Sequence, residues 1–456
     1  MAGIWSSGHR YATWRRVWIA LAEAQSELGL PITPEDLAAL RQAAPRLDLA
    51  RVAEIEAETR HDVVSHLRHF AEQAGAAGGK LHLGATSAFV TDNTDLLLLS
   101  EALELVERRL GGAIRPLAHF ARTHRALPAL AYTHLQPAQL TTVGKRACLW
   151  IQDLVEDYRE VARRRREMRL RGAKGTTGTQ ASFMTLFDGD EGKVVELDRR
   201  LAAKLGFERT WPITGQTYPR KADSQLLSTL SGIGESLHKM GNDIRLLQSF
   251  GEVTEPFGKS QVGSSAMPYK RNPMRSERMC SLSRRLLTAA LDSSLTAATQ
   301  WLERTLDDSA IRRLVLPEAF LLADAVLGLA ADIGGGLVVH ERTLAARVAR
   351  ELPFMATEAL MMKGTVGGGS RQELHERIRE LALEAHAAVE AGEENPLLGR
   401  LGEEPALAAY RGEIERLAQP EALTGRAAQQ VDRFLADEVE PLLSGVAEVA
   451  AEAPRV

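Results

Sequence analysis

The feature that most limits this fold is a stripe of apolar residues near the middle of the chain. Leu226, Leu230, Ile233, Leu237, Met240, Ile244 and Leu247 follow one another at intervals of 4, 3, 4, 3, 4 and 3 residues. Such spacing gathers side chains on one side of a helix, and it predicts a helix from Ala222 to Phe250. About 28 residues at 1.5 Å each make a rod of roughly 40 Å. A rod of that length cannot hide its stripe alone; it must pack against other helices of the chain or across a subunit interface. Further long helical stretches run from Asp95 to Thr123, Val143 to Arg171, Ser276 to Arg304 and Pro317 to Ile333. Tyr11 to Leu28 reads as a shorter helix with Trp14, Val17, Trp18 and Leu21 on one face. Ser370 to Val389 and Ala427 to Val449 predict a smaller helical C-terminal unit, with Pro353 and the segment from Lys363 to Ser370 marking its start. Aromatic residues are only 5% and alternating β-branched runs are scarce, so little sheet is expected. The expected fold is all-α, built on a bundle of long helices.

Composition narrows the classes of function. A length of 456 residues suits about three domains. The formal charge of -4 argues against a nucleic-acid binder working by bulk charge. Two cysteines, Cys148 and Cys280, exclude a disulfide scaffold and a Cys-based zinc finger, and they fit a reducing compartment. The most apolar run, from Leu316, carries Glu318, Asp324 and Asp332, which are expensive in lipid, so it reads as a buried helix. The N-terminal segment lacks the apolar core of a signal peptide. The expectation is a cytoplasmic protein with no membrane and no nucleic-acid partner.

Four stretches carry more hydroxyl and amide groups than connectors need: HLGATSAFVTDN from His82, YTHLQPAQLTTVGKR from Tyr132, KGTTGTQASF from Lys174 and SQVGSSAMPYKRNPM from Ser260. Loops on a rigid scaffold are where chemistry usually sits. In the last of them Gly263, Pro268 and Pro273 restrict the backbone, and Ser264 and Ser265 precede Lys270 and Asn272 by a few residues. The helix expected after it starts near Arg275, so its N-terminus can receive an anion. Other features have plainer readings. Arg10, Arg15 and Arg16 alone read as a solvated face, and His61, His66 and His69 as a solvated or hydrogen-bonded set, without the partners of a metal site. The segment from Lys174 lacks the ending of a phosphate-binding P-loop.

The segment GSSAMPYKRNP, from Gly263 to Pro273, resembles the signature loop of the fumarase/aspartase superfamily. Within it, RYATWRRVWIALAEAQSELGLPI, TRHDVVSHLRHF, THLQPAQLTTVGKR, ITGQTYPRK, QWLERTLDDSAIRR and GGSRQELHE are similar to the branch that acts on succinyl nucleotides. The resemblance covers nearly the whole chain. It implies a three-domain fold, divided at 1–87, 88–340 and 341–456, with the central domain forming the long-helix bundle. It further implies a homotetramer whose active sites are shared between subunits. The implied reaction is β-elimination of fumarate from adenylosuccinate, giving AMP, and from SAICAR, giving AICAR, with no metal and no organic cofactor. Rival readings are another fumarate-releasing lyase, acting for example on argininosuccinate, and a non-catalytic derivative of the fold.

Such chemistry takes a proton from a poorly acidic carbon, steadies a developing dianion and protonates a departing nitrogen. By resemblance, Ser264 is the general base, with Lys270 and loop amides steadying its alkoxide. His134 is the acid, His61 a supporting histidine, and Glu277 the carboxylate that polarises a histidine. Arg10 and Tyr11 look like a phosphate-binding pair, with Arg304, Ser309 and Arg313 as further nucleotide contacts. His82, Thr86, Ser87, Thr133, Gln216, Ser265 and Asn272 look like groups that hold the succinyl and phosphate oxygens.

Overall fold

The structure is a computed structural model and describes residues 1–258 and 260–446. Helix accounts for 71% of it, and the two sheets have two strands each. The all-α expectation holds, with small additions. The chain opens with α1 (Ser7–Glu27), α2 (Pro34–Ala43), α3 (Leu49–Thr59) and α4 (Asp62–Ala74). Then come α5 (Ser87–Thr123), the hairpin β1 (Pro128–Thr133) and β2 (Gln136–Thr142), α6 (Val143–Arg166), α7 (Ala181–Leu186), α8 (Glu191–Leu205) and α9 (Lys221–Ser249). The two-residue β3 (Val253–Thr254) precedes α10 (Met274–Ala298) and α11 (Asp307–Gly336), and pairs antiparallel with β4 (Val338–Val339). Helices α12 (Glu341–Val366), α13 (Arg371–Glu390), α14 (Leu397–Glu403), α15 (Arg411–Leu417), α16 (Ala427–Phe434) and α17 (Glu440–Ser444) complete the described chain.

Two compact units divide these elements. The first holds residues 1–109, 157–235 and 282–326; the second holds 110–156, 236–281 and 327 onward. Every boundary between them falls inside a long helix: α5, α6, α9, α10 or α11.

In the first unit, Trp14, Trp18 and Leu21 of α1, Phe70 of α4, Phe89 of α5 and Leu197 and Leu201 of α8 form one apolar core. Each such side chain contributes about 1.5–3 kcal/mol by leaving water. Local signals start the helices: Thr33 and Asp36 form a reciprocal capping box around Pro34 at the start of α2. In the second unit, Leu360, Leu374, Ile378, Leu397, Leu401 and Leu417 make a separate cluster from α12 to α15. All seven residues of the 226–247 stripe are buried, none more than 4% exposed. Truncating one of them, such as Leu237→Ala, should cost about 2–5 kcal/mol.

Helix α11 is long and apolar enough to cross a membrane by composition. Its apolar side chains Leu316, Phe320, Val326 and Ile333 are core residues, and its charges are paired within the protein: Asp324 with Arg109 at 2.7 Å and Asp332 with Arg275 at 2.8 Å. It is a core helix, as its interrupting acids suggested.

Several boundaries differ from expectation because other bonds compete. Helix α6 stops at Arg166, not Arg171, since Leu170 exchanges backbone hydrogen bonds with Arg209 and Trp211. Helix α10 stops at Ala298, not Arg304, and the Glu303 carbonyl instead accepts from the Gln216 N–H at 2.9 Å. Pro353 does not begin the C-terminal unit but lies inside α12, one turn after Arg350, whose carbonyl accepts from the Asn395 amide at 3.2 Å. The stretch expected as one helix from Ala427 is broken by a π-turn at Leu435–Val439, just before Pro441; its end, residues 447–449, lies outside the described residues.

Candidate active site

The first unit gathers most of the expected substrate contacts around the start of α1, the start of α4 and the start of α5. Arg10 donates from Nη1 to Asp95 at 2.7 Å. Tyr11 stacks on His66 with ring centroids 3.9 Å apart, and burial raises the Tyr11 phenol above its ordinary range. His61 caps α4, with Nδ1 3.4 Å from Asp62 and Nε2 3.5 Å from the Ser87 hydroxyl. Asp62 in turn meets Arg313 at 3.4 Å. His61, Ser87 and Arg313 are thus linked, Arg313 by way of Asp62. Thr86 sits one residue before α5, its carbonyl accepting from the Phe89 N–H at 2.8 Å. Ser309 lies half-buried in the first turn of α11.

His82 is held in an unusual way. Its φ is +63°, in the left-handed region that favours glycine. Its Nδ1 accepts from Trp18 Nε1 at 2.9 Å, so the ring proton of the neutral imidazole sits on Nε2. Burial pushes its pKa down to about 4, and burial with Arg15 nearby does the same to His66. Both are neutral at pH 7. His69 accepts from the Asp48 N–H at 3.1 Å, which fits the hydrogen-bonded reading of that histidine set. Arg15, by contrast, is no solvated residue: it is 2% exposed, donates to the carbonyls of Ala43 and Ala44, and lies over the Phe70 ring.

Behind these groups lies a buried ionic network that sequence reasoning missed. Arg220 donates to Asp92 at 2.9 Å and to Asp308 at 2.6 Å. Arg312 donates to Asp223 at 2.7 Å and to the Tyr218 hydroxyl at 2.6 Å, and meets Asp95 at 3.1 Å. Tyr218 joins the two arms, its N–H donating to Asp92 at 2.9 Å and its hydroxyl to Asp223 at 2.5 Å. Arg304 donates to Asp308 at 2.6 Å. Burial works against charge here, but the neighbouring guanidiniums outweigh it and hold Asp92 below the usual carboxylate range. The one hint in the sequence was acid at Asp92 and Asp95 immediately before four leucines.

The loop from Lys174 is a structural joint. Lys174 is buried and paired with Asp198. Arg171 donates to the carbonyls of Gln216 and Gly175, each at 2.8 Å. Gly178 has φ +87°, and a Cβ there would stand 1.8 Å from the Thr214 carbonyl oxygen. The loop thus locks against the segment that carries Gln216.

The second unit holds the acid–base candidates. His134 and Leu135 are the two turn residues between β1 and β2, with φ of +54° and +59°. Both values positive is the pattern of a type I′ hairpin turn, normally made by Asn-Gly. A histidine and a leucine there store strain, a mark of functional sites. The turn is exposed, and Thr133 beside it likewise. The strand below is anchored by Tyr132, whose hydroxyl donates to the buried Glu252 at 2.9 Å and accepts from Arg347 at 3.0 Å.

The signature loop folds on itself. The Asn272 amide donates to the Gly263 carbonyl at 2.9 Å, and a Cβ on Gly263 would meet the Lys270 carbonyl at 2.1 Å. The Ser264 oxygen accepts from the Ala266 and Met267 N–H groups at 3.3 and 3.1 Å. Ser265 and Lys270 are exposed, and among the described residues no carboxylate pairs with Lys270. Nor does a hydrogen bond join Ser264 to Lys270 or to His134 among them. Glu277 is exposed in the first turn of α10, with no histidine bonded to it among the described residues. The N-terminus of α10 is not open to an outside anion: Glu255 accepts from the Arg275 and Ser276 N–H groups at 2.9 and 2.8 Å. That internal cap replaces the anion site expected there.

Known proteins resemble this chain over nearly its whole length. A family model described as lyase matches residues 3–287, and one described as adenylosuccinate lyase C-terminus matches residues 353–434. Adenylosuccinate lyase of Saccharomyces cerevisiae is 48% identical over 447 residues, covering 97% of this chain and 93% of that protein. Adenylosuccinate lyase of Schistosoma mansoni is 47% identical, covering 94% and 90%. Among solved structures, a fumarate lyase from Mesorhizobium sp. BNC1 aligns with a TM-score of 0.83 at 24% identity, covering 96% of this chain and 97% of that one. The 3-carboxy-cis,cis-muconate lactonizing enzyme from Pseudomonas putida aligns with a TM-score of 0.81 at 24% identity, covering 96% of each. These two structures share the fold. With both family models matched and relatives near half identity over almost the full length, the chain belongs to the adenylosuccinate lyase family of the fumarase/aspartase superfamily.

Proposed function

We propose that this protein is a C–N lyase that eliminates fumarate from adenylosuccinate, leaving AMP, and from SAICAR, leaving AICAR, in purine biosynthesis. The observation that carries the reading is the state of Ser264: its oxygen already accepts two loop N–H groups, a ready set of donors for an alkoxide. Lys270 six residues on has no carboxylate partner among the described residues and supplies positive charge to the same loop. Ser264 takes the proton from the carbon next to the succinyl carboxylate, and His134 protonates the departing nitrogen. His61, hydrogen-bonded to Ser87 and braced by Asp62, supports the acid. Arg10, Tyr11, Arg304, Ser309 and Arg313 receive the nucleotide. His82, Thr86, Ser87, Thr133, Gln216, Ser265 and Asn272 hold the remaining oxygens. The scheme needs neither metal nor organic cofactor.

An acid carried on an exposed hairpin tip, and a Glu277 with no histidine bonded to it among the described residues, fit a site completed by other subunits of a homotetramer. The three-domain division, with a C-terminal domain from 341, is supported by the separate apolar cluster of α12 to α15. Cytoplasmic location fits two buried free thiols.

Purified protein should shift the ultraviolet spectrum of adenylosuccinate as fumarate leaves, and should leave argininosuccinate, aspartate and malate unchanged. No shift with adenylosuccinate, or a faster reaction with one of the others, would overturn the assignment. Mixing inactive Ser264→Ala and His134→Ala proteins should restore part of the activity if sites are shared. A mixture that stays inactive while both proteins show the mass of the wild-type oligomer would argue for sites complete in one chain.

A further inference from the structure

Two half-exposed arginines of the first unit are held in the same way. Arg10 and Arg304 keep 23% and 24% of their side-chain surface, and each gives one Nη1 edge to an aspartate. Each aspartate is nearly buried and is shared with a second, buried arginine: Asp95 with Arg312, and Asp308 with Arg220. A guanidinium has five N–H donors in a fixed fork, so spending one edge on a carboxylate leaves the rest aimed in a set direction. The buried arginines cannot swing, since Arg312 is also tied to Asp223 and Arg220 to Asp92, with Tyr218 bridging the arms. The four arginines balance the four aspartates. Burying so many charges is costly and gains little stability over apolar packing, so such a network needs another reason to exist.

We infer that Asp95 and Asp308 are positioning residues that orient Arg10 and Arg304 to receive the phosphate of the substrate, with Arg312 and Arg220 as their buried anchors. The inference rests on the function proposed above. Losing the phosphate grip and losing the chemistry can be told apart, because both carboxylates are taken up by arginines.

The test compares adenylosuccinate with its dephosphorylated counterpart, succinyladenosine. Asp95→Asn and Asp308→Asn should each lower kcat/KM for the nucleotide about 10- to 100-fold, chiefly through KM. The nucleoside should change less than about threefold. Adding Asp95→Asn to Arg10→Gln should cost nothing further, since the residue it orients is already gone. Tyr218→Phe keeps the ring and removes only the hydroxyl that steadies Arg312; it should show a smaller loss of the same nucleotide-selective kind, and it decides the matter if an Asn variant fails to fold. Equal losses on nucleotide and nucleoside, or unchanged KM for the nucleotide, would overturn the positioning role. A wild-type enzyme that leaves adenylosuccinate intact would instead overturn the proposed function itself.

Discussion

Arg312 and Lys270 are both cations near candidate substrate groups, yet they live under different conditions. Arg312 is 8% exposed and bonded to Asp223, Asp95 and Tyr218. Lys270 is exposed, in a loop held mainly by its own backbone and the Asn272 amide. The proposed binding arginines of the first unit are thus set in advance by buried charge. The proposed acid–base groups of the second unit sit on an exposed loop and a strained exposed turn. Preorganised donors suit recognition of a rigid phosphate, whereas groups that must be brought onto a reacting carbon are carried on surfaces still open to a partner or substrate.

Substitutions can break or sharpen this contrast. The largest effect is expected from Ser264→Ala, which should lower kcat by about 10²–10⁴-fold with little change in melting temperature. A variant that keeps its kcat would remove the base from the scheme. Next, Arg220→Met should cost about 3–5 kcal/mol of stability, because Asp92 and Asp308 lose a buried partner. Lys270→Met should stay within about 0.5 kcal/mol in denaturant unfolding while activity falls. If the two stability losses came out alike, the contrast would be false.

The neutral histidines give a third, smaller effect. His66 and His82 have folded pKa values of about 4, below the ordinary 6.5, so the unfolded chain binds protons first on acidification. Stability should therefore fall as pH drops from 7 toward 4, by on the order of 1–2 kcal/mol per histidine near pH 5. Chemical unfolding of His82→Gln should show a shallower fall between pH 7 and pH 5; an unchanged slope would count against the buried neutral state. The smallest effect is at the hairpin. Leu135→Gly should relieve the positive φ and gain about 1 kcal/mol in stability. No gain in melting temperature would mean the turn is not strained.

The helices were legible because their packing repeats along the chain. The 226–247 stripe is a local pattern, and its burial follows directly. The β1–β2 hairpin was not legible, since its turn is His-Leu where a strong signal would be Asn-Gly, and its strands carry little β-branched alternation. The signature loop showed its serines and lysine by residue type. Its exit did not show Glu255, which caps α10 from about twenty positions earlier and has no motif of its own. The buried network was hidden for a similar reason. Asp92, Arg220 and Asp308 are distant in sequence, and charges scattered on helices ordinarily read as solvated.

Gly178 carries a consequence for anyone building hybrids between relatives. With a carbonyl of residue 214 pressed where its side chain would be, a segment 174–180 that carries any side chain at 178 cannot pack on segment 213–216 as it stands. Transplanting a 174–180 segment without that glycine should yield a poorly folding chimera, while one that keeps it should be tolerated.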